Sequence, residues 1–179
     1  MAITKQNSPI SETMNQPLEP INQITRWFET AVPNPSDRNA LTQIGVHFEE
    51  VSEMLQALRK AGSEAQGREQ LTFARDVLSY FQRQLKSGDL AIAFDNVDRV
   101  TLLDALCDQI VTAVGVAHML GMDIEGTLKE VASSNDSKFG EDGKPIFNEQ
   151  SKIMKGPHYQ SPDLTAYALR RTQSNGREV

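Results

Sequence analysis

The chain has 179 residues and a net charge of −6, with 39% hydrophobic and 23% charged residues. This composition is typical of a soluble globular protein with one domain. Because lysines and arginines are dispersed along an acidic chain, the composition disfavours a broad surface for binding a nucleic-acid polymer. Small anionic ligands remain compatible with local groups of lysines.

The terminal segments and the single cysteine indicate where in the cell the protein is expected. Residues 1–19 are polar and contain prolines, so we expect a flexible leader. The sequence contains neither the apolar core of a signal peptide nor an uninterrupted apolar run of about 18 residues, so no membrane span is expected. One cysteine, Cys107, cannot form an intrachain disulfide framework, which fits a reducing cytosol. We therefore predict a cytoplasmic protein.

Hydrophobic spacing predicts helices in chain order. The first begins at Pro20 and ends at the PNPS sequence of residues 33–36. Further helical patterns cover residues 37–61, 69–86, 98–120 and 124–133, with Gly62 closing the second helix. A long loop follows, then one or two helical turns within 164–171 and a tail, 172–179, that we expect to be disordered. The expected fold is all-α, a single domain over residues 20–171 built as an antiparallel bundle of about five helices with a long C-terminal loop.

The fourth predicted helix contains the sequence DALCDQIVTAVGV at residues 104–116. Apolar residues lie on almost every side of it, which indicates burial and suggests that one chain does not cover it, favouring a dimer. Cys107 is then expected to be a small core residue. Asp104 and Asp108 need a partner in such surroundings, because an ionised carboxylate away from water is costly. That partner is either a metal ion or an arginine, with candidates at Arg26, Arg75 and Arg99.

Three carboxylates share one side of the second helix, in the sequence HFEEVSEML. Glu49, Glu50 and Glu53 follow helical spacing and repel one another. Alone, this pattern is typical of a solvated acidic face. Together with two aspartates on an apolar helix it indicates a site for Mg²⁺, which binds oxygen ligands that facing helices of a bundle can supply.

The loop after the fifth helix carries lysines among glycines and small polar residues, at positions 138, 144, 152 and 155. Ammonium groups and open backbone N–H groups can bind phosphates, although loop lysines are commonly just solvated. The loop lacks the GxxxxGK[ST] pattern of a P-loop. Phosphate binding here would have to be completed by the metal site.

The motifs together resemble a known family. The EExxE pattern, the DALCD sequence and the stretch EVASSNDSKFGEDGKPIFNEQSKIMKGPHYQSPDL are similar to the MazG-like branch of the all-α nucleoside triphosphate pyrophosphohydrolases. The likeness spans about Ile21 to Leu164, and the tail of the form SNxSK…DGK…KGPxYxxPxL is its most specific part. The resemblance implies hydrolysis of a nucleoside triphosphate to the monophosphate and pyrophosphate. It also implies dependence on Mg²⁺, for which Mn²⁺ can substitute, and assembly as a homodimer or a pair of dimers.

The resemblance also assigns roles to residues. It implies that metals are bound by Glu49, Glu50, Glu53 and an aspartate of DALCD, and that the phosphates or nucleoside lie near four tail residues: Asn135, Lys138, Lys155 and Tyr159. This chain departs from the family pattern ExxD, because Thr101 and Ala105 stand three residues before Asp104 and Asp108. We favour Asp104 as the metal ligand and keep Asp108 as the second choice.

Mechanistic expectations and alternatives complete the sequence reading. Either Glu50 or Glu53 is the candidate base that deprotonates water. Trp27 is a candidate for stacking on the nucleobase, and a role in the hydrophobic core is equally compatible with its position. Deoxynucleotides are the substrates that the family favours. The alternatives are an enzyme resembling phosphoribosyl-ATP pyrophosphohydrolase and a non-enzymatic helical dimer whose acidic face binds a partner.

Overall fold

A computed structural model describes residues 20–61, 65–149 and 151–168. The predictions for the leader at 1–19, for the stop at Gly62 and for the tail at 172–179 lie outside these residues. A 3-10 turn at Phe94–Asn96, which the sequence did not predict, precedes the fourth helix. The α-helices are α1 (Pro20–Ala31), α2 (Asp37–Ala61), α3 (Ala65–Ser87), α4 (Arg99–Met119), α5 (Ile124–Asp136) and the single turn α6 (Thr165–Ala168).

The all-α class is confirmed for the described residues, which contain one isolated β-bridge between Phe147 and Ile153 and no strand. The differences from prediction lie at helix ends. α3 starts four residues before the predicted start, because a polar first turn adds no apolar periodicity for sequence reasoning to detect. α5 continues three residues beyond its predicted end. The starts of α4 and α5 are fixed by Asp98 and Asp123, whose carboxylates accept backbone N–H groups of the first turn.

α2 and α3 form a closely packed helical hairpin. Ser52 and Ser79 are joined by a hydrogen bond of 2.8 Å between their hydroxyls, and Arg75 Nη1 donates to Gln56 Oε1 at 2.7 Å. Later residues of α2 therefore meet earlier residues of α3, so the helices are antiparallel. Leu85 is completely buried. The apolar stripes of the two helices thus face each other and are partly covered within one chain, while Leu58 of α2 and Phe73 and Val77 of α3 stay exposed.

α1 packs on α5 through a buried tryptophan. Trp27 Nε1 donates to the carbonyl oxygen of Asn135 at 2.8 Å. The indole stacks on Phe139 with centroids 5.7 Å apart and meets Phe28 edge-on at 4.9 Å. α6 closes the other end of α5, where the backbone N–H of Asp123 donates to the carbonyl oxygen of Tyr167 at 2.9 Å. This second group of helices carries the C-terminal loop.

α4 is left almost bare by the other residues that the structure describes. Within this helix only Ala117 is buried, whereas Leu103 and Val111 are 63% and 66% exposed and Cys107 is exposed. The prediction that α4 and Cys107 lie in a core is therefore wrong for a single chain. The physical reason is that α2 and α3 already cover each other, and α5 contacts α4 only weakly. An exposed apolar face of this size is typical of a surface that another element covers.

The length and composition of α4 also match those of a membrane-crossing helix, a property that core helices of soluble proteins share. The sequence prediction considered only uninterrupted apolar runs and did not detect this match. Asp104 and Asp108 lie in the middle of the helix. Carboxylates are expensive inside a bilayer, so their presence favours cover by protein.

Candidate active site

The acidic run on α2 begins with a carboxylate held by two lysines. Glu49 Oε2 accepts hydrogen bonds from Lys86 Nζ of α3 at 2.9 Å and from Lys152 Nζ of the C-terminal loop at 3.0 Å. The Glu49 side chain is only 26% exposed. Burial raises the pKa of Glu49, but the hydrogen bonds and charges of the two lysines outweigh it and hold the pKa below its usual value. Glu49 is therefore fully ionised at neutral pH.

Glu50 has the opposite environment. Partial loss of solvent raises its pKa, and the carboxylates of Glu53 and Glu49 raise it further, while Lys152 and Lys138 act in the opposite direction. No hydrogen bond holds its carboxylate among the described residues. Glu50 thus has unneutralised negative charge beside it and lysines of the C-terminal loop within electrostatic range, which suits either a proton acceptor or a cation ligand.

Glu53 lies in an open hollow of about 390 Å³ on the outer face of the α2–α3 hairpin. Sequence reasoning did not identify its neighbours there, although their spacing of three and four residues on α3 was a usable sign of a shared polar face. The neighbours combine acidic, basic and hydroxyl groups: Ser52, Gln56, Arg75, Asp76, Ser79 and Arg83. Arg75 is engaged by Asp76, whose Oδ1 accepts from Arg75 Nε at 3.0 Å.

The predicted substrate residues are brought together at one end of α5. Lys138 Nζ lies 5.8 Å from the ring centroid of Trp27, and Lys155 Nζ lies 4.4 Å from that of Tyr159. Burial lowers the pKa of Lys138. Hydrogen bonds with Ser161 and Ser134 lower the pKa of Tyr159. Asn135 contributes its backbone carbonyl oxygen, which the Trp27 indole N–H occupies.

A glycine fixes the return of the C-terminal loop to α5. The backbone N–H of Gly156 donates to the carbonyl oxygen of Lys138 at 3.0 Å. A Cβ atom at position 156 would lie 2.6 Å from the carbonyl oxygens of Lys138 and Phe139, so only glycine fits without a backbone shift. The backbones that carry Lys138 and Lys155 are therefore held against each other.

The two aspartates of α4 are not joined to the acidic run within one chain. Asp104 and Asp108 are exposed, and no ion pair or side-chain hydrogen bond holds either carboxylate in the described ranges. Arg75 is bound to Asp76 and Gln56, so it does not supply the predicted arginine partner. A contact between His47 Nε2 and Gln109 Oε1 nevertheless brings the middle of α4 to α2, about one helical turn before Glu50.

The carboxylates of α2 and α4 are the type of ligand that a divalent cation binds, but the described residues of one chain do not bring enough of them together. Carboxylate oxygens are the ligands that Mg²⁺ and Mn²⁺ prefer. Within residues 20–61, 65–149 and 151–168, no three acidic, histidine or cysteine side chains lie close enough together to hold a metal ion. Glu49 is occupied by lysines, and the α4 aspartates stand apart from Glu50 and Glu53. A cation site would need α4 carboxylates presented from elsewhere.

Comparison with known proteins supports the fold. No protein-family model matches the chain, and no curated protein matches it either. Among solved structures, the chain is similar to an inferred NTP pyrophosphohydrolase from Exiguobacterium sp. 255-15, with 22% sequence identity and a TM-score of 0.53. The match covers 83% of this chain and 90% of the Exiguobacterium chain. The two proteins therefore share a helical fold over most of their length.

Proposed function

We propose that the protein is a nucleoside triphosphate pyrophosphohydrolase that releases pyrophosphate and a nucleoside monophosphate. The observation that carries the proposal is the ion pair between Lys152 and Glu49, which links positions 103 residues apart. It brings the lysine-rich loop to the acidic run, as a triphosphate and its metal ions would require. The inferred activity of the Exiguobacterium protein supports the same reaction class, and membership of the MazG-like branch is part of this proposal.

The exposed apolar face of α4 is the basis of the proposed quaternary structure. We propose a homodimer, or a pair of dimers, in which α4 is covered by a second copy and its aspartates meet an acidic run on α2. Asp104 is the favoured ligand and Asp108 the second choice, alongside Glu49, Glu50 and Glu53. The expected cation is Mg²⁺, with Mn²⁺ as a substitute. A cytoplasmic location, without a membrane or nucleic-acid polymer as partner, remains a prediction.

The residues of the chain suggest how hydrolysis would proceed. Glu50 is the proposed base that orients and deprotonates the attacking water, because a raised pKa makes a carboxylate a better proton acceptor at neutral pH. Lys138 and Lys155 would neutralise charge that builds on the phosphate oxygens. Glu53 is the alternative base. When bound, the divalent cation would supply further positive charge at the phosphates.

Nucleoside binding is the remaining part of the proposal. Tyr159 and Asn135 stand beside the two lysines and would contact the nucleoside or its phosphates. Trp27 is buried, its indole stacks on Phe139 and Lys138 Nζ lies 5.8 Å from its ring centroid, which favours a supporting role over stacking on the base. Deoxynucleoside triphosphates are the proposed preference.

The test is a screen for pyrophosphate release over the common ribonucleoside and deoxyribonucleoside triphosphates with Mg²⁺. We expect release from at least one substrate and a loss of kcat of about 10²- to 10⁴-fold in Glu50→Gln, the range expected when a general base is removed. The matched control is Glu125→Gln, an exposed glutamate on α5 paired with Lys129. Absence of pyrophosphate with every substrate would contradict the proposal.

The two α4 aspartates can be ranked in the same assay. Asp104→Asn is expected to reduce kcat/KM more than Asp108→Asn, and the Mg²⁺ concentration needed for half-maximal rate should rise more in the first variant. Neither change should unfold the protein, because both side chains are exposed in the isolated chain. A larger effect from Asp108→Asn would reverse the assignment.

A further inference from the structure

We propose that Lys86 and Lys152 form a phosphate-binding pair that Glu49 occupies in the resting protein and vacates for substrate. This inference rests on the proposed function and concerns the regulation of the same site. The Glu49 carboxylate is a stand-in anion that keeps the two lysines in place. When a phosphate group of the triphosphate displaces the carboxylate, the two ammonium groups bind the phosphate in its place.

Two ammonium groups share a single carboxylate oxygen. Lys86 Nζ and Lys152 Nζ lie 2.9 and 3.0 Å from Glu49 Oε2, so each is within hydrogen-bond distance of the same atom. The Lys86 and Lys152 side chains are 21% and 40% exposed, so their charges are screened less than those of fully solvated lysines. Two positive charges this close require an anion between them. One carboxylate leaves a net positive charge, which a phosphate group with two negative charges neutralises more completely.

The position of Lys86 is built into the helical hairpin. Its aliphatic stem crosses α2 at Gly45, where a Cβ atom would lie 2.6 Å from Lys86 Cγ. Its backbone carbonyl oxygen accepts a hydrogen bond from Arg38, and its ammonium also donates to Gln82 Oε1 at 3.3 Å. Lys86 is therefore aimed at the acidic run by packing and is not a mobile surface lysine.

Lys152 connects this pair to the remaining predicted substrate residues. Its charge acts on Glu50 and on Lys138, and Lys138 also senses Lys155 and Tyr159. The backbone N–H of Lys152 donates to Asn148 Oδ1 at 2.9 Å, next to the bridge between Phe147 and Ile153. A triphosphate lying along these lysines would run from Tyr159 toward Glu49. The pair thus extends the proposed phosphate path onto α3, which carries none of the metal-binding or substrate-binding residues predicted from sequence.

The test measures binding of inorganic tripolyphosphate by calorimetry without any divalent cation. Glu49→Gln should bind tripolyphosphate roughly tenfold more tightly than the unchanged protein, because the competing anion is gone. The triple variant Glu49→Gln, Lys86→Gln, Lys152→Gln should lose that gain. Circular dichroism of each variant checks that the helices are retained.

Two controls separate this effect from a general change in charge. Glu53→Gln removes a charge from the same acidic run without freeing the lysine pair, so its gain should be much smaller. Lys129→Gln added to Glu49→Gln should keep the gain, because Lys129 is an exposed lysine on α5 that pairs with Glu125. Unchanged or weaker binding in Glu49→Gln, or a gain that survives in the triple variant, would overturn the inference. Because no turnover is involved, this failure is distinguishable from a negative hydrolysis screen.

Discussion

The α2–α3 hairpin and α4 are both long helical regions with carboxylates, but they meet their physical requirements in different ways. The hairpin partly covers its apolar stripes within one chain, and its Glu49 is held by Lys86 of α3 and by Lys152 of the C-terminal loop. α4 exposes both its apolar residues and its aspartates. The difference shows that apolar spacing indicates a need for cover, whereas it contains no information about which chain provides that cover.

The largest effect is expected when a charge is placed on the apolar face of α4. Leu103→Glu should weaken self-association at least about 100-fold, because an unpaired carboxylate in an apolar interface costs several kcal/mol. Sedimentation velocity over a range of protein concentrations measures the effect. Gln70→Glu, on an exposed position of α3, is the matched control and should leave association unchanged. Identical sedimentation of Leu103→Glu and the unchanged protein would show that α4 is not the interface.

A smaller effect is expected inside the group formed by α1 and α5, which, like the hairpin, is packed within one chain. Trp27→Phe should lower the free energy of unfolding by about 0.5 to 1.5 kcal/mol, because the carbonyl oxygen of Asn135 loses the indole N–H and keeps the backbone N–H of Lys138. Urea unfolding measures the change, with Phe28→Leu as a control that removes no hydrogen bond. A drop in turnover far beyond the loss of folded protein would instead point to contact between Trp27 and substrate.

The smallest expected effects concern stability, and they have opposite signs at the adjacent glutamates Glu49 and Glu50. The lowered pKa of Glu49 gives a stabilisation that is present above pH 4.5 and is lost as pH falls through the lower folded-state pKa. The raised pKa of Glu50 means that its ionised form destabilises the fold at neutral pH, a cost removed as pH falls through the higher folded-state pKa.

At pH 7 Glu49→Gln should therefore lower Tm, by about 1 to 2 °C for an ion pair of this exposure, whereas Glu50→Gln should raise it. Scanning calorimetry at pH 7 and well below pH 4.5 checks both directions, and the two differences should shrink in acid. Shifts of the same sign at pH 7 would contradict the opposite environments of the two side chains.

Sequence reasoning predicted the regular elements because helix periodicity and capping are local properties. The start of α4 next to Asp98 and the apolar stripe of α2 are examples. It could not predict that α4 is uncovered, because burial depends on which surfaces remain after α2 and α3 have paired. Lys86 was missed for a similar reason: it lies on α3, and only the antiparallel register of the hairpin brings it to Glu49.

For the candidate site, the sequence motifs named residues that the fold places near one another around α5, including Lys138, Lys155 and Tyr159. Their roles stay predictions. The described part of one chain contains no group of side chains that joins Asp104 to the acidic run at a metal site, and the proposed function assigns that link to an assembly of two copies.

The close approach of Gly156 to α5 has a consequence for how the loop can change length. Both ends of the segment between Lys138 and Lys155 are pinned by the hydrogen bond from Gly156. Extra residues inserted at the turn around Gly143, which faces open space, would bulge outward and leave the spacing of those two ammonium groups unaltered. Homologues could therefore carry a longer loop around Gly143, whereas replacing Gly156 would disturb both lysines at once.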